Sequence, residues 1–371
     1  MKHLLYITDQ QEYSQHGTIG SLFQGYLKEY LYVNVVYFTK YKDSFQIKDD
    51  DFVIPSHHDK DVIKYLRIKG KVDIAKYDYV FVRNAQHILK TVLSYREKYN
   101  YKVGFRASFA KSTHAYEKAK KEKKGILKAL RVKIGNFTKN RLINQVDIFM
   151  PTSHQMQKVF YPNLTCKIYP LLIALDPKLI SKRELRNDGV RRFIYVGSLD
   201  RLREFEVVLD AFNALEADLA WQLSVCVVNP EVIYELLKVY PHIKERVNIV
   251  SADELSSIKE QVSLSDVGLG LLPDNELYNN ALSAKVADYY NCCAPALLSN
   301  TEKNHSIFDS DTEALFSDFH SEEISEKLKK IIAMSEEELI EIGQKGQEKL
   351  LNLGRNYEVM AKNLFEELEA L

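Results

Sequence analysis

Short apolar stretches alternate with helix-forming ones through the first 150 residues, stop at a charged connector, and then begin alternating again. Leu4 to Thr8, Val33 to Phe38, Asp78 to Val82, Tyr101 to Phe105 and Asp147 to Met150 read as strands. Helices are expected from Ser21 to Leu31, with Leu22, Tyr26 and Tyr30 on one face, and from Ala85 to Tyr99. Residues 40 to 76 are charged and give no clear element. Beyond the connector, Asp176 to Arg192, the second series has strands at Phe193 to Val196, Leu223 to Val228, Val247 to Val250, Val267 to Leu272 and again at Ala296. Its first helix is expected from Arg203 to Leu215. Such alternation implies parallel βαβ units. Two series imply an α/β fold of two Rossmann-like, doubly wound domains, 1–175 and 176–354. Ligands bind at the carboxyl ends of such strands, so the two sets of loops are expected to face one cleft.

Composition narrows the partners. The 371 residues carry 51 basic and 51 acidic side chains, so there is no global attraction to nucleic acid. Cys166, Cys226, Cys292 and Cys293 lack metal-ligand spacing and fit buried thiols in a reducing compartment. No run approaches the ~18 apolar residues that span a bilayer, and the start, MKHLLYITDQQ, reads as a strand rather than a leader. The expectation is a cytoplasmic protein.

The stretch Ser265 to Ser299 carries the chemistry. A short apolar strand breaks at Pro273-Asp274-Asn275 into a polar loop, a helix begins at Ser283, and the chain returns through Ala294-Pro295 into another strand. A strand, a loop and a helix N-terminus in that order present free N–H groups and the positive dipole end to an anion. Lys285 in the first turn opposes the dipole, which suggests an anionic ligand; Asp288 lies on the same face.

These residues carry a resemblance. Ser265-Asp266-Val267-Gly268-Leu269, Pro273-Asp274-Asn275, Leu277-Tyr278-Asn279, Ser283-Ala284-Lys285, Asp288-Tyr289 and Pro295 resemble the donor-binding segment of retaining GT-B glycosyltransferases of family 4. Tyr195-Val196-Gly197-Ser198-Leu199-Asp200-Arg201-Leu202-Arg203 is similar to that family's first turn in the second domain. The resemblance implies transfer of a sugar from a nucleotide-diphosphate sugar to a hydroxyl of a glycan or lipid-linked acceptor, with retention. It needs no metal and no cofactor, since two cations and a helix end stabilise the leaving diphosphate. Arg203 and Lys285 are the expected cations, with Gly197, Ser198 and Arg201 beside them on the donor. Of two acidic positions usual in the family, the second, on the ribose, corresponds to Asp288 and the first to Asn280; Leu282 and Ser283 offer backbone N–H groups. Cys293-Ala294 replaces the usual glycine before the proline. The Asp309-Ser310-Asp311 triplet, although it mimics a metal-binding motif of another glycosyltransferase fold, reads as a loop.

In the first domain the resemblance is little more than strand order. His16 and Gly17 lie in the loop after strand one, Arg106 to His114 follow strand four, and Thr152-Ser153 follow strand five. His114 is the expected histidine towards the sugar; His16, Arg106, Thr152 and Ser153 are expected on the acceptor side, and Gly17 near donor phosphate. A terminal helix, 355–371, is expected to cross back to the first domain. Glu117 to Arg141 holds ten basic residues against two acidic ones, with apolar residues at helical spacing. It suits either an anionic membrane surface, making the enzyme peripheral, or a surface helix on its own domain. Two other functions share the architecture: an inactive nucleotide-sugar-binding protein and a sugar-nucleotide epimerase.

Overall fold

The computed structural model describes all residues except 12, 14–16, 42–44, 111–112, 115–116, 118–138 and 252–254. The chain divides into two compact units: Met1–Leu172 with Tyr357–Leu371, and Ile173–Asn356.

The first unit is a mostly parallel sheet built from β1 (His3–Gln11), β2 (Tyr32–Thr39), β3 (Gln46–Lys48), β4 (Asp51–Pro55), β5 (Tyr79–Arg83), β6 (Lys102–Ala107), β7 (Ile148–Pro151) and β8 (Lys167–Ile168). Their spatial order is β3-β4-β2-β1-β5-β6-β7-β8, with β3 the antiparallel edge. The inner strands are apolar on both faces, because helices cover both: Leu4, Leu5, Ile7, Val80, Phe81 and Val82 are fully buried. Helix α1 (Val62–Ile68) precedes β5, α2 (Gln86–Tyr99) links β5 to β6, and α3 (His154–Phe160) follows β7. Asn100, in the left-handed region at φ 56°, ends α2 by donating its N–H to the Arg96 carbonyl.

Two segments differ from the sequence expectation. The stretch expected as a helix from Ser21 to Leu31 is a π-helical turn (Ile19–Gly25) running into a 3₁₀ turn (Tyr26–Glu29). Ile19, Leu22, Phe23, Tyr26 and Leu27 are all buried there, a wider apolar face than a 3.6-residue repeat presents. Residues 40–76, charged and without a clear pattern, hold β3, β4 and α1.

The second unit is an all-parallel sheet of β9 (Arg191–Val196), β10 (Trp221–Val227), β11 (Val247–Ser251), β12 (Val267–Gly270), β13 (Ala296–Ser299) and β14 (Leu315–Ser317), ordered β11-β10-β9-β12-β13-β14. Side chains alternate between two cores: Phe193 and Tyr195 enter one, Ile194 and Val196 the other. Helices α4 (Phe205–Asn213), α5 (Pro230–Leu237), α6 (Leu255–Ser263), α7 (Ala284–Asn291) and α8 (Glu302–His305) connect the strands; α9 (Ser321–Ala333) and α10 (Glu336–Asn352) follow β14. The order reverses between β9 and β12, and a crevice at the carboxyl ends of those two strands is where such sheets hold ligands.

The two strands part beyond Ile194, and the parting has a visible cause. Gly268 pairs with Ile194, but Val196 N–H donates instead to the Tyr289 hydroxyl at 3.1 Å, which itself donates to the Leu269 carbonyl at 3.1 Å. A phenol from α7 is thus inserted between the strands. Gly268 permits this, since a Cβ there would lie 2.1 Å from the Tyr289 ring.

At the opposite ends of β9 and β12 the charged connector turns inward. Asp266, 1 % exposed, accepts from Arg183 and Arg186, lies 3.7 Å from Arg191, and takes the Arg192 N–H at 2.6 Å. Glu336 accepts the N–H groups of Arg186 and Asn187.

The last helix, α11 (Tyr357–Glu369), belongs to the first unit: Tyr79 donates to the Leu368 carbonyl at 3.0 Å, Lys167 pairs with Glu367 at 2.6 Å, and Phe365 stacks on Tyr30.

Candidate functional site

Lys285 stands in the first turn of α7, and it is 5 % exposed. Its ammonium lies 3.7 Å from the centre of the Tyr195 ring and has no hydrogen-bond partner among the described residues. Burial, reinforced by the Arg203 charge, holds it well below the usual lysine value. Asp288, one turn on, makes no ion pair with it; burial pushes the Asp288 carboxyl up to about 7. Among the described residues the attractive contact of the Lys285 ammonium is therefore with a ring face, worth about 2 kcal/mol when desolvated.

Arg203 reaches the same place from the other strand. After β9 the backbone turns at Gly197, φ 140°, a conformation that side chains disfavour; a Cβ there would lie 3.7 Å from the Lys285 ammonium. The turn is held by Tyr195, whose hydroxyl donates to the Ser198 carbonyl at 2.7 Å. Asp200 organises the rest, accepting from Ser198 Oγ at 3.2 Å and Leu202 N–H at 3.1 Å, and pairing with Arg203 Nε at 3.3 Å. Two cations thus converge at the switch point of the sheet, and the Asp200 carboxylate that pairs with Arg203 is shared with the turn.

Tyr278 completes the cluster. Its ring centre lies 5.8 Å from the Arg203 guanidinium carbon, and its buried hydroxyl has no partner among the described residues. Sequence reading placed Tyr278 and Tyr195 in the two motifs but gave neither a role. The available signal for Tyr278 was a lone aromatic in the polar stretch 273–283. Tyr195, at the end of an apolar strand, read as core.

The remaining donor-side positions surround this point. Ser283 is the N-cap of α7, and its hydroxyl caps no N–H, so the N–H groups of the first turn have no side-chain cap. Leu282 is buried, Asn280 donates its side-chain N–H to the Glu276 carbonyl, and Arg201 is exposed on the turn after β9. Asp309-Ser310-Asp311 forms an exposed turn in which Asp311 pairs with Lys327.

The first-unit positions follow the carboxyl edge of its own sheet. Arg106 is 1 % exposed; Nη1 donates to the Met150 carbonyl at 3.1 Å, Nη2 has no partner among the described residues, and burial lowers the group to about 10. Thr152 is buried with its hydroxyl on Met156 Sδ, and Ser153 caps α3 by accepting the Met156 N–H at 2.9 Å. The His114 ring packs edge-on against Phe109 at 5.0 Å, and Gly17 is exposed at φ 51°. His16 lies outside the described residues, as does most of the basic stretch 117–141. Of that stretch, Lys139 is buried, with its ammonium 4.0 Å over the Tyr161 ring. The same edge carries a network absent from the sequence reading: Arg83 pairs with Asp9 at 2.7 Å, and Asn84 donates to Ser108 at 2.8 Å.

The architecture is that of GT-B proteins: two Rossmann-like units, each an open, chiefly parallel sheet flanked by helices. Over its full length the chain superposes on sucrose-phosphate synthase from Thermosynechococcus elongatus, with TM-score 0.73 and 15% identity across 100% of both chains. Anabaena HepE in complex with UDP-glucose gives 0.69 at 10% identity, covering 99% of this chain and 100% of that one. The α,α-trehalose 6-phosphate synthase of Burkholderia multivorans gives 0.64 at 10%, covering 100% and 99%. No protein-family model matches the sequence, and no curated protein does. No described helix is long and apolar enough to cross a membrane.

Proposed function

We propose that this chain is a glycosyltransferase that takes a nucleotide-diphosphate sugar and transfers the sugar, with retention, to a hydroxyl of a glycan or lipid-linked acceptor. The observation that carries the reading is the Lys285 ammonium, buried beside a guanidinium and a helix N-terminus with no counter-charge of its own. A buried cation in that state costs several kcal/mol, and an anionic ligand offsets the cost. The solved GT-B proteins named above include one in complex with UDP-glucose, which favours a pyrophosphate as that anion.

In this reading Arg203 and Lys285 flank the diphosphate, and the first N–H groups of α7 point at it. As the bond from the sugar's anomeric carbon to the β-phosphate oxygen breaks, negative charge grows on that oxygen. Cations already in place and shielded from water stabilise it without reorganising. They supply charge that a divalent ion would otherwise bring. The departing oxygen then accepts the proton of the attacking hydroxyl on the same face, which retains configuration. Asp288 serves the ribose hydroxyls. The acceptor is assigned to the carboxyl edge of the first unit's sheet, near Arg106, His114, Thr152 and Ser153, and residues 117–141 to an anionic membrane surface.

The test is calorimetric titration of the intact chain with UDP, ADP and GDP and their glucose forms, followed by Lys285→Met and Arg203→Ala. The expected result is binding of a nucleoside diphosphate that either substitution weakens at least about 30-fold. Binding by both variants as tight as by the parent would overturn the site. Nucleotide binding with no transfer to any acceptor would favour the inactive sugar-nucleotide-binding protein.

A further inference from the structure

At the amino ends of β1 and β2 the first unit holds a cavity of about 420 Å³. Small-molecule sites typically span about 300–1,000 Å³. The fold itself sets the walls. Asp49 and Asp50, at φ 50° and 68°, make the two-residue turn that joins β3 to β4. Asn34 on β2 donates to the Asp50 carbonyl at 2.7 Å and accepts from the Tyr77 hydroxyl at 2.8 Å. One side chain thus ties both the hairpin and the segment before β5 to the same strand.

The lining combines rings with charge. Tyr32, 56 % exposed, stacks on His3 with ring centres 4.7 Å apart, and Leu31, Val33 and Phe52 add buried apolar surface. A ring held flat on one side keeps its other face for a ligand. Burial, reinforced by the Lys76 charge, holds His3 below the usual histidine value, so near neutral pH it contributes a ring rather than a cation. Lys28 and Lys76 supply positive charge, and neither makes an ion pair among the described residues. Asp50 is the one acid on the lining. Its neighbour Asp51 is buried, with its oxygens taken by Gln24 Nε2 and the Val35 N–H, and Asp78 accepts the His3 N–H at 2.7 Å. The lining therefore carries two lysines against one carboxylate.

We propose that this cavity binds a small ligand made of a flat aromatic ring and a phosphate, with the ring against Tyr32 and the phosphate held by Lys28 and Lys76. Stacking on an exposed ring and charge-assisted hydrogen bonds from two ammonium groups are separate contributions, and a molecule carrying both features collects both. The cavity opens at the amino ends of the strands, whereas Thr152, Ser153 and the other acceptor positions follow the carboxyl ends. A ligand here is bound and not turned over. The inference does not depend on what Lys285 and Arg203 hold.

The experiment is calorimetric titration of the intact chain with 1-naphthyl phosphate, 1-naphthol and inorganic phosphate. The parent is expected to bind 1-naphthyl phosphate saturably and at least about 10-fold more tightly than either fragment. Replacing both lysines, Lys28→Gln with Lys76→Gln, should weaken that binding at least about 10-fold, and Tyr32→Thr about 5-fold. Asp50→Asn should tighten it about 3-fold, since asparagine keeps the left-handed turn and removes a like charge. Lys285→Met should bind the probe as the parent does. No binding by the parent, 1-naphthol bound as tightly as its phosphate, or undiminished binding by the double lysine variant would overturn the site. Loss of binding in Lys285→Met would place the probe in the second unit and overturn it equally.

Discussion

The second unit buries cations at both ends of the same two strands and treats them in opposite ways. At the amino ends of β9 and β12, three arginines gather on Asp266, whose oxygens are consumed by guanidinium and backbone donors. At the carboxyl ends, Lys285 and Arg203 converge with no carboxylate for the lysine. The first arrangement is a tie: it fastens the connector to the sheet, and all its charges come from the chain. The second is incomplete by one anion. Burial alone therefore does not distinguish a structural ion cluster from a binding site; the origin of the counter-charge does.

That contrast breaks most readily at Asp266. Asp266→Asn leaves three guanidinium groups without their common partner, and the unfolding free energy in urea should fall by about 3–5 kcal/mol. Lys285→Met should act with the opposite sign. It removes an unpaired buried ammonium, so the empty protein gains about 1 kcal/mol in the same titration while nucleotide binding is lost. Equal destabilisation by both substitutions would mean that Lys285 has a structural partner after all.

Finer probes sharpen the distinction. Tyr278→Phe deletes a hydroxyl that has no partner among the described residues, so stability should hold while nucleoside-diphosphate affinity drops about 5-fold by calorimetry, the worth of one hydrogen bond. Asp288 is read through pH rather than through affinity. Its carboxyl sits near 7 when folded against an ordinary 3.8, so the folded state keeps a proton that the unfolded chain releases. Its contribution is complete below about pH 4 and is lost as pH rises through 7. Asp288→Asn should flatten that part of the melting profile, and an unchanged slope would mean that other groups set it.

The carboxyl-edge site was anticipated in two ways: the strand, polar loop and helix opening on Lys285 came from order along the chain, and Arg203 came from the resemblance of the glycine turn after β9. The amino-edge cluster was not readable. Arg183, Arg186 and Arg191 look like a solvated connector in a linear chain, and only the packing of that connector against the start of β12 puts Asp266 among them. Tyr195 and Tyr289 stand in the quoted motifs, but their roles were hidden for a different reason. Aromatic residues in apolar stretches look like core, and they are core, but one carries a cation on its face and the other separates two strands. In the first unit, Arg106 follows the apolar run that sequence reading took as strand four, which made it look available; in the folded chain it belongs to β6, and its guanidinium is folded under the sheet edge.

The return of the last helix to the first unit has a consequence for how the polypeptide is made. On the ribosome, residues 173–356 emerge as an uninterrupted stretch and can close their own sheet while translation continues. The amino-terminal sheet, although synthesised earlier, lacks the helix that accepts the Tyr79 hydroxyl and covers Tyr30 until residues 357–371 are made. The unit whose synthesis begins first is thus completed after the other, and loss of residues 357–371 injures the first unit rather than the second.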